Sequence, residues 1–557
     1  MILGEKTLTW LRKNYQIASL AILAVVFFFV YSWLAFSTPL IFNSPDETAN
    51  YFFAKNFAQT GELRVFEPLN LSFGNIIHPR SINVANGFLV PGSFLGAILL
   101  FGSIAKVFGV GILPYLTPLF SVLAVLFFYG IMKKIFDSRV ASISALMLFV
   151  QPAFWYYTSR SLFPNALFID LLIIGFFWLI NSKKYSKKDS NKDSNTFKDN
   201  SNKVNNGCWQ VGLAGLFIGL ALAVRSSEVV WIGAVLLALF LIYRKEINWR
   251  QVVVFLVAGS LAFIPIFYFN QFLYGSSIAF GYQELSSGAP AVSVSILSGI
   301  KKIILPFGFS LSRIWSHLGR YFLQIFWWLS LPAIIGLGLV LWDWKRLSRE
   351  QKLFLYFYVF IFLFLGAYYG SWSTYDNITP GRVTIGNSHV RYWLPIYILS
   401  LPFVSLFVVK FSQLFRKKNL EYVFGAVTIF LIIILSGYSA LRGDEESIVA
   451  VKKNILDYKL EKQTVLGLTS ADSIIITERS DKVFFPERKI IVGFDTNNLM
   501  NYLPLLMKQA PVYYYTYAGD GAIDKLKEEK LKPAGLDLEL VQVIKDNERL
   551  FRLKFIK

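Results

Sequence analysis

The chain has a single cysteine, Cys208, so no internal disulfide and no cysteine metal site is open to it. Acids are also scarce: 35 Asp and Glu stand against 55 Lys and Arg, for a formal net charge of +20. Charged residues of both signs make up only 16% of the chain, too few to cover the surface of several soluble domains of this total length. No small-residue cleavage site follows Trp10-Leu11-Arg12-Lys13, which excludes a cleavable signal pattern. No internal repeat is visible. The basic excess raises nucleic acid as a partner, but its placement argues against that: Lys and Arg sit mainly in short loops between apolar runs.

Apolar residues are what the chain has in plenty, 55% hydrophobic and 17% aromatic. Runs near twenty residues recur almost to Ala440, the signature of a multi-pass α-helical membrane protein. Spans are expected near 16–36, 113–132, 140–157, 164–181, 209–224, 229–243, 251–269, 321–342, 353–369, 392–410 and 422–440, eleven in all. The run 87–108 is long enough to cross as well. If it did, the basic loops at Lys133-Lys134, Lys183 to Lys203 and Arg416-Lys417-Lys418 would all lie outside, against the positive-inside rule. It therefore reads as a re-entrant or surface-lying segment, broken by Pro91, Gly92, Gly96 and Gly102, within a large outer loop 38–113. The tract 182–208, rich in Lys, Ser, Asn and Asp, reads as a disordered cytoplasmic linker. After Arg442 the pattern changes to short strands near 472–477, 489–494 and 511–517, helices at 498–508 and 523–531, and a closing hairpin over 536–544 and 549–556. The expected domains are a membrane domain over 1–442 and a small α/β domain over 443–557 on the outer face, with the N-terminus cytoplasmic.

The chain is organised around 44–61, directly after the first apolar run. Ser44 and Glu47 have capping-box spacing with Pro45 at the first helical position. Ala49, Phe52, Phe53 and Phe57 form an apolar stripe, and Gly61 is the stop. This is a short amphipathic helix at the membrane surface. Asp46 and Glu47 favour the positive end of its dipole, but two adjacent carboxylates at the mouth of a span also suit catalysis.

Outer loops should be poor in cations, and several are not. Lys55, His78, Arg80, Arg160, Arg225, Arg313, His317, Arg320, Arg382, His389 and Arg391 all map outside or to outer helix ends. Single arginines snorkel to lipid headgroups; a set of this size suits a phosphate, which guanidinium groups grip with paired hydrogen bonds. The loops that carry them are Ile77-His78-Pro79-Arg80-Ser81, the stretch Ser159-Arg160-Ser161, Arg225-Ser226-Ser227-Glu228 with its nearby carboxylate, a loop holding Tyr274-Gly275 and Gly281-Tyr282, and Asp376-Asn377 leading to Arg382 and His389-Val390-Arg391-Tyr392. Aromatic residues there suit sugar stacking, although Trp and Tyr also populate any membrane interface.

An acidic pair after the first helix, a His-Pro segment later in the same loop, a short Arg-bearing second outer loop and an Arg-Tyr-x-x-Pro helix start resemble the C-type (GT-C) polytopic glycosyltransferases. Within that superfamily, residues 1 to about 440 resemble the protein O-mannosyltransferase and aminoarabinose transferase branch. Relatives often carry an acid where Asn165 follows Pro164, so a carboxylate role in the second loop is not carried over. The resemblance implies a sugar donor on a polyprenyl or dolichyl phosphate and a protein, lipid or polysaccharide acceptor. It implies Asp46 as base with Glu47 beside it, and no metal or cofactor. His78, Arg80, Arg160, Arg225, Glu228, Tyr282, Asp376, Arg382, His389 and Arg391 are then the candidates for the donor phosphate and substrate. A transporter or flippase of an anionic or lipid-linked substrate is the competing class, but it predicts repeats and midplane charges. A scaffold for the outer domain predicts cation-poor loops. Neither pattern is present.

Overall fold

A computed structural model describes residues 15–182, 200–281, 305–373, 381–415, 417–496, 499–545 and 547–556, with side chains from 207 onward in the second segment. The chain divides into two compact units. One comprises Met1–Trp33, Tyr115–Ile264 and Pro290–Ala450; the other comprises Leu34–Pro114, Pro265–Ala289 and Val451–Lys557. The division follows packing rather than chain order, because the first outer loop belongs with the C-terminal residues and not with the helices that flank it.

Among the described residues nine helices are long and apolar enough to cross a membrane. They are Tyr15–Ser37, Val110–Ile135, Pro164–Asn181, Gly207–Val224, Ser226–Tyr243, Trp249–Tyr274, Arg349–Gly370, Leu394–Ser412 and Lys418–Arg442. Two bent pairs bring the number to 11, matching the expected spans of a multi-pass membrane protein. The helix ending at Val224 starts at Asn200, reaching back into the tract expected as a linker, most of which lies outside the described residues. Leu95–Phe108 has only 14 residues, a rise of about 21 Å against a hydrocarbon core of about 30 Å. That length suits a re-entrant or surface-lying segment.

In the first unit, the pair Ser138–Val150 and Pro152–Arg160 bends by 50°. Pro152 explains the break: it lacks an N–H, and it holds Gln151 extended at φ −61°, ψ 120°. The Gln151 side chain then caps the new helix by accepting from the Phe154 N–H at 2.6 Å. Leu311–Gln324 and Trp327–Trp342 bend by 103°. Gly207–Val224 and Trp249–Tyr274 pack backbone to backbone, where a Cβ on Gly215 or Gly219 would strike the carbonyls of Phe255 or Gly259. Small residues are how membrane helices approach closely.

In the second unit, the helix Pro45–Thr60 lies on Leu95–Phe108, with Gly102 beneath Phe57 and the Ala54 carbonyl. Beside them β1 (Val65–Phe66), β2 (Ile82–Ala85) and β3 (Phe88–Pro91) form an antiparallel sheet in the order β1-β3-β2, which had not been expected. The C-terminal strands β4 (Ile474–Thr477), β5 (Lys489–Val492), β6 (Val512–Thr516), β7 (Leu536–Lys545) and β8 (Glu548–Phe555) form a mixed sheet in the order β5-β4-β6-β8-β7. β4, β5 and β6 are parallel, and β8 closes antiparallel. These are the strands expected from sequence. The helix Ile448–Leu468 is additional: it shows no sharp apolar stripe to announce it. Phe73, Ile76 and Ile77 from the first loop share one core with Ile474, Leu503 and Tyr514.

Candidate functional site

In the first unit three arginines are strung along two aromatic rings. The helix Pro152–Arg160 ends at Ser161, whose φ of 64° turns the chain sharply, and Pro164 opens the next helix. The turn sets the buried Arg160 guanidinium 5.1 Å from the Phe163 ring and against the Tyr156 hydroxyl. Arg391, on the short helix Ser388–Tyr392, stands 5.1 Å from the same Phe163 ring and 5.3 Å from Tyr392. Arg225 stands 4.8 Å from the Tyr392 ring. Arg160, Phe163, Arg391, Tyr392 and Arg225 thus form an arc at the ends of spans. Guanidinium faces favour such rings, and their N–H edges suit an anion.

Glu228 anchors one end of the arc. Its Oε1 accepts from Arg225 Nη2 at 2.8 Å and from the Tyr369 hydroxyl at 2.5 Å, and its Oε2 accepts from Trp231 Nε1 at 2.6 Å. A buried ion pair holds only when its remaining lone pairs are satisfied, and here they are. Tyr369 also stacks on Tyr392 at 4.6 Å, so the pair fixes a ring of the arc. His389, 1% exposed, stacks on Tyr321 at 4.9 Å and meets His317 at 4.2 Å.

The loop carrying His389 and Arg391 is fastened by residues that sequence reasoning missed. The Tyr157 hydroxyl donates to the Asn387 carbonyl at 3.1 Å, and Ile385 N–H donates to Asp444 at 2.8 Å. The Thr384 hydroxyl meets Glu446, and Arg382 pairs with Glu445 at 2.6 Å. Arg382 was expected at the substrate, and its pair with Glu445 is about half exposed. Burial raises the Asp444 pKa, against hydrogen bonds from Ile385 and Glu446 that lower it. The signal was available: Asp444-Glu445-Glu446 is an acidic triplet directly after the last span.

Asp170 was also missed. It is fully buried in Pro164–Asn181, where Oδ2 accepts from the Ser121 hydroxyl at 2.6 Å, and Ser121 accepts from Thr158 at 3.0 Å. A lone Asp in an otherwise apolar span was the cue.

The second unit holds the acidic pair. Ser44 and Glu47 make the expected capping box, with Ser44 N–H donating to Glu47 Oε2 at 3.0 Å. Glu47 is 2% exposed and is built into the helix start. Asp46 is half-buried, and its Oδ1 accepts from the Ser81 hydroxyl at 2.6 Å. Arg80, expected at the donor phosphate, is engaged by a carboxylate of the chain, with its side chain about a third exposed. Its backbone N–H, Nε and Nη2 all donate to Asp481. An aspartate and a phosphate make equal use of a guanidinium fork. His78 packs behind this contact with Nδ1 3.0 Å from the Pro79 carbonyl, and burial lowers its pKa. Tyr282 and Asp376 lie outside the described residues. No three His, Cys, Asp or Glu side chains among the described residues are grouped so as to hold a metal ion.

No family model matches the chain, and no curated protein matches it by sequence. Solved structures do. ArnT from Cupriavidus metallidurans in the apo state matches with a TM-score of 0.52 at 11% identity, over 98% of this chain and 99% of that one. The Archaeoglobus fulgidus oligosaccharyltransferase, in complex with Zn and sulfate, matches with a TM-score of 0.55 at 13% identity, over 90% of this chain and 67% of that one. AglB from the same organism, in complex with an inhibitory peptide and a dolichol-phosphate, gives a TM-score of 0.52 at 13% identity, over 91% and 70%. At these identities the likeness concerns the fold. The chain shares its fold with ArnT and with the archaeal oligosaccharyltransferase.

Proposed function

We propose that the protein is a membrane glycosyltransferase that moves a sugar from a polyprenyl- or dolichyl-phosphate donor to an acceptor hydroxyl on the extracytoplasmic face. The observation that carries this reading is the arc of Arg160, Arg391 and Arg225 over Phe163 and Tyr392, in a chain of this fold. The dolichol-phosphate in the archaeal complex supports a lipid phosphate as the group that such an arc receives.

In this reaction the acceptor oxygen bonds to the anomeric carbon as the bond from that carbon to the phosphate oxygen breaks. The electron pair leaves with the lipid phosphate, and the anomeric configuration inverts. The transition state is oxocarbenium-like, and the departing phosphate gains charge that arginines offset. Asp46 is assigned the acceptor's proton, with Ser81 orienting its carboxylate. Glu47 holds the helix start that presents Asp46, and Glu228 holds Arg225. The basic turns orient the chain with its N-terminus cytoplasmic and residues 443–557 extracytoplasmic.

The test is a product assay. Membranes containing the protein are supplied with candidate polyprenyl-phosphate sugars, and glycosylated products are read by mass spectrometry. Transfer that requires both donor and protein supports the reading; transport of the intact donor without transfer overturns it.

A further inference from the structure

One cavity of the first unit is lined by none of the three arginines of the arc. It measures about 1020 Å³, at the upper end of the range for ligand pockets, and below a polar rim its wall is aliphatic and aromatic. Its wall is built from Val110–Ile135, Pro164–Asn181, Ser226–Tyr243, Trp249–Tyr274 and Arg349–Gly370, with smaller contributions from Gly207–Val224 and Leu394–Ser412. Its inner end is Trp231, the residue that donates to Glu228. Its rim lies near Tyr243, and the helix between rises about 18 Å at 1.5 Å per residue. This depth is over half a hydrocarbon core of about 30 Å, so the cavity is a slot for a chain rather than for a compact solute.

The rim is polar and carries charge of both signs. Lys134 and Arg250 stand there with Asn248 and Gln251, beside the turn that carries Arg244 and Lys245. The lining also holds two acids, Glu350 and Glu246, of which Glu246 is matched by Arg349 at 3.7 Å. Among the described residues Arg250 has no carboxylate partner. Exposed Trp249 marks the rim as the level of lipid headgroups.

We propose that this cavity binds a bilayer glycerophospholipid, with an acyl chain in the slot and the headgroup phosphate on Arg250 and Lys134. An apolar depth with Lys134 and Arg250 at its rim is complementary to a tail with a phosphodiester head. The site is separate from the proposed donor site: it opens on the basic-turn face, at the opposite ends of the spans from Arg160, Arg225 and Arg391.

The protein carries its own probe, because Cys208 lines the cavity and is the only cysteine. Purified wild-type protein is stripped of lipid with detergent, and the rate of maleimide labelling at Cys208 is followed as phosphatidylglycerol, diacylglycerol or polyprenyl phosphate is added in mixed micelles. Phosphatidylglycerol is expected to slow labelling saturably, and diacylglycerol, with tails but no phosphate, is expected not to. The double variant Lys134→Ala, Arg250→Ala should raise the half-protecting lipid concentration about tenfold or more, the worth of a lost charged hydrogen bond. Val235→Phe, which fills the slot, should remove the phospholipid that native mass spectrometry finds on the wild type. Equal protection by diacylglycerol or by detergent alone overturns the proposal, as does stronger protection by polyprenyl phosphate, or a labelling rate that no lipid changes.

Discussion

Arg80 and Asp481 are 401 positions apart in sequence, yet they meet through three hydrogen bonds, from backbone N–H at 2.9 Å, Nε at 3.1 Å and Nη2 at 2.6 Å. Asp481 is fully buried, so Arg80 is what makes its charge tolerable. The next residue, Ser81, holds Asp46. The ion pair thus lies one residue from the hydroxyl that holds the proposed base.

Arg80→Ala leaves the Asp481 charge buried and unmatched, at a cost of about 3 kcal/mol or more. Thermal unfolding in detergent should show that loss, and Arg80→Ala, Asp481→Asn together should recover part of it. A phosphate-binding role for Arg80 predicts a raised donor KM with unchanged stability, and that result would return Arg80 to the donor site.

Arg160→Ala and Arg391→Ala should lower kcat/KM for the lipid-phosphate donor by about 10- to 100-fold, at about 1.5–3 kcal/mol for each charged hydrogen bond lost. Lys at either position should rescue poorly, since a point charge does not reproduce the planar fork. Arg225→Ala should in addition destabilise the fold, because Glu228 is then buried unpaired. Donor kinetics alongside melting curves separate the two effects, and normal donor kinetics in Arg160→Ala and Arg391→Ala would remove the arc from the mechanism.

Asp46→Asn keeps size and the helix start while removing the charge. A helix-start role alone predicts a loss of about 1 kcal/mol or less with near-normal turnover. The base role predicts normal expression and donor binding with turnover down by roughly a hundredfold or more. Glu47→Gln should be milder, since Gln keeps the capping box. Wild-type turnover by Asp46→Asn would sink the assignment.

Stability of the C-terminal sheet should fall as pH rises through neutrality. Glu461 is buried in Ile448–Leu468 beside Tyr515, and burial first, then the nearby Glu548 charge, raise its pKa from 4.5 to about 7. A carboxyl with a raised folded-state pKa contributes stability that is full below about 4.5 and is lost as pH passes 7. Hydrogen exchange across β4, β6 and β8 should therefore be faster at pH 8.5 than at pH 5.5, after correction for intrinsic rates. Glu461→Gln should flatten that dependence; an unchanged slope in the variant would assign it elsewhere.

Topology is tested by single cysteines in a Cys208→Ser background. Residues 46, 160 and 556 should label from one side, and Lys345 and Lys417 from the other, as the basic turns require. Labelling of 46 and 556 from opposite sides would make the segment Leu95–Phe108 a crossing after all.

Local chemistry was enough for much of this protein. Span positions follow from unbroken apolar runs in a solvent that offers no hydrogen bonds, and the start at Ser44, Pro45 and Glu47 follows from backbone groups within one turn. The strands β4 to β8 were legible because alternation and turn residues are local signals too. Partnership between distant residues was not. A guanidinium suits a phosphate, an aspartate or an aromatic face equally well, so the sequence could name Arg80, Arg160, Arg225, Arg382 and Arg391 but not separate them. Packing did so, giving Arg80 to Asp481, Arg382 to Glu445 and Arg225 to Glu228, and setting Arg160 and Arg391 on one ring. The same long-range packing joined residues 73–77 to strands four hundred positions later, because a loop that buries Phe73, Ile76 and Ile77 does so against whatever core the folded chain supplies.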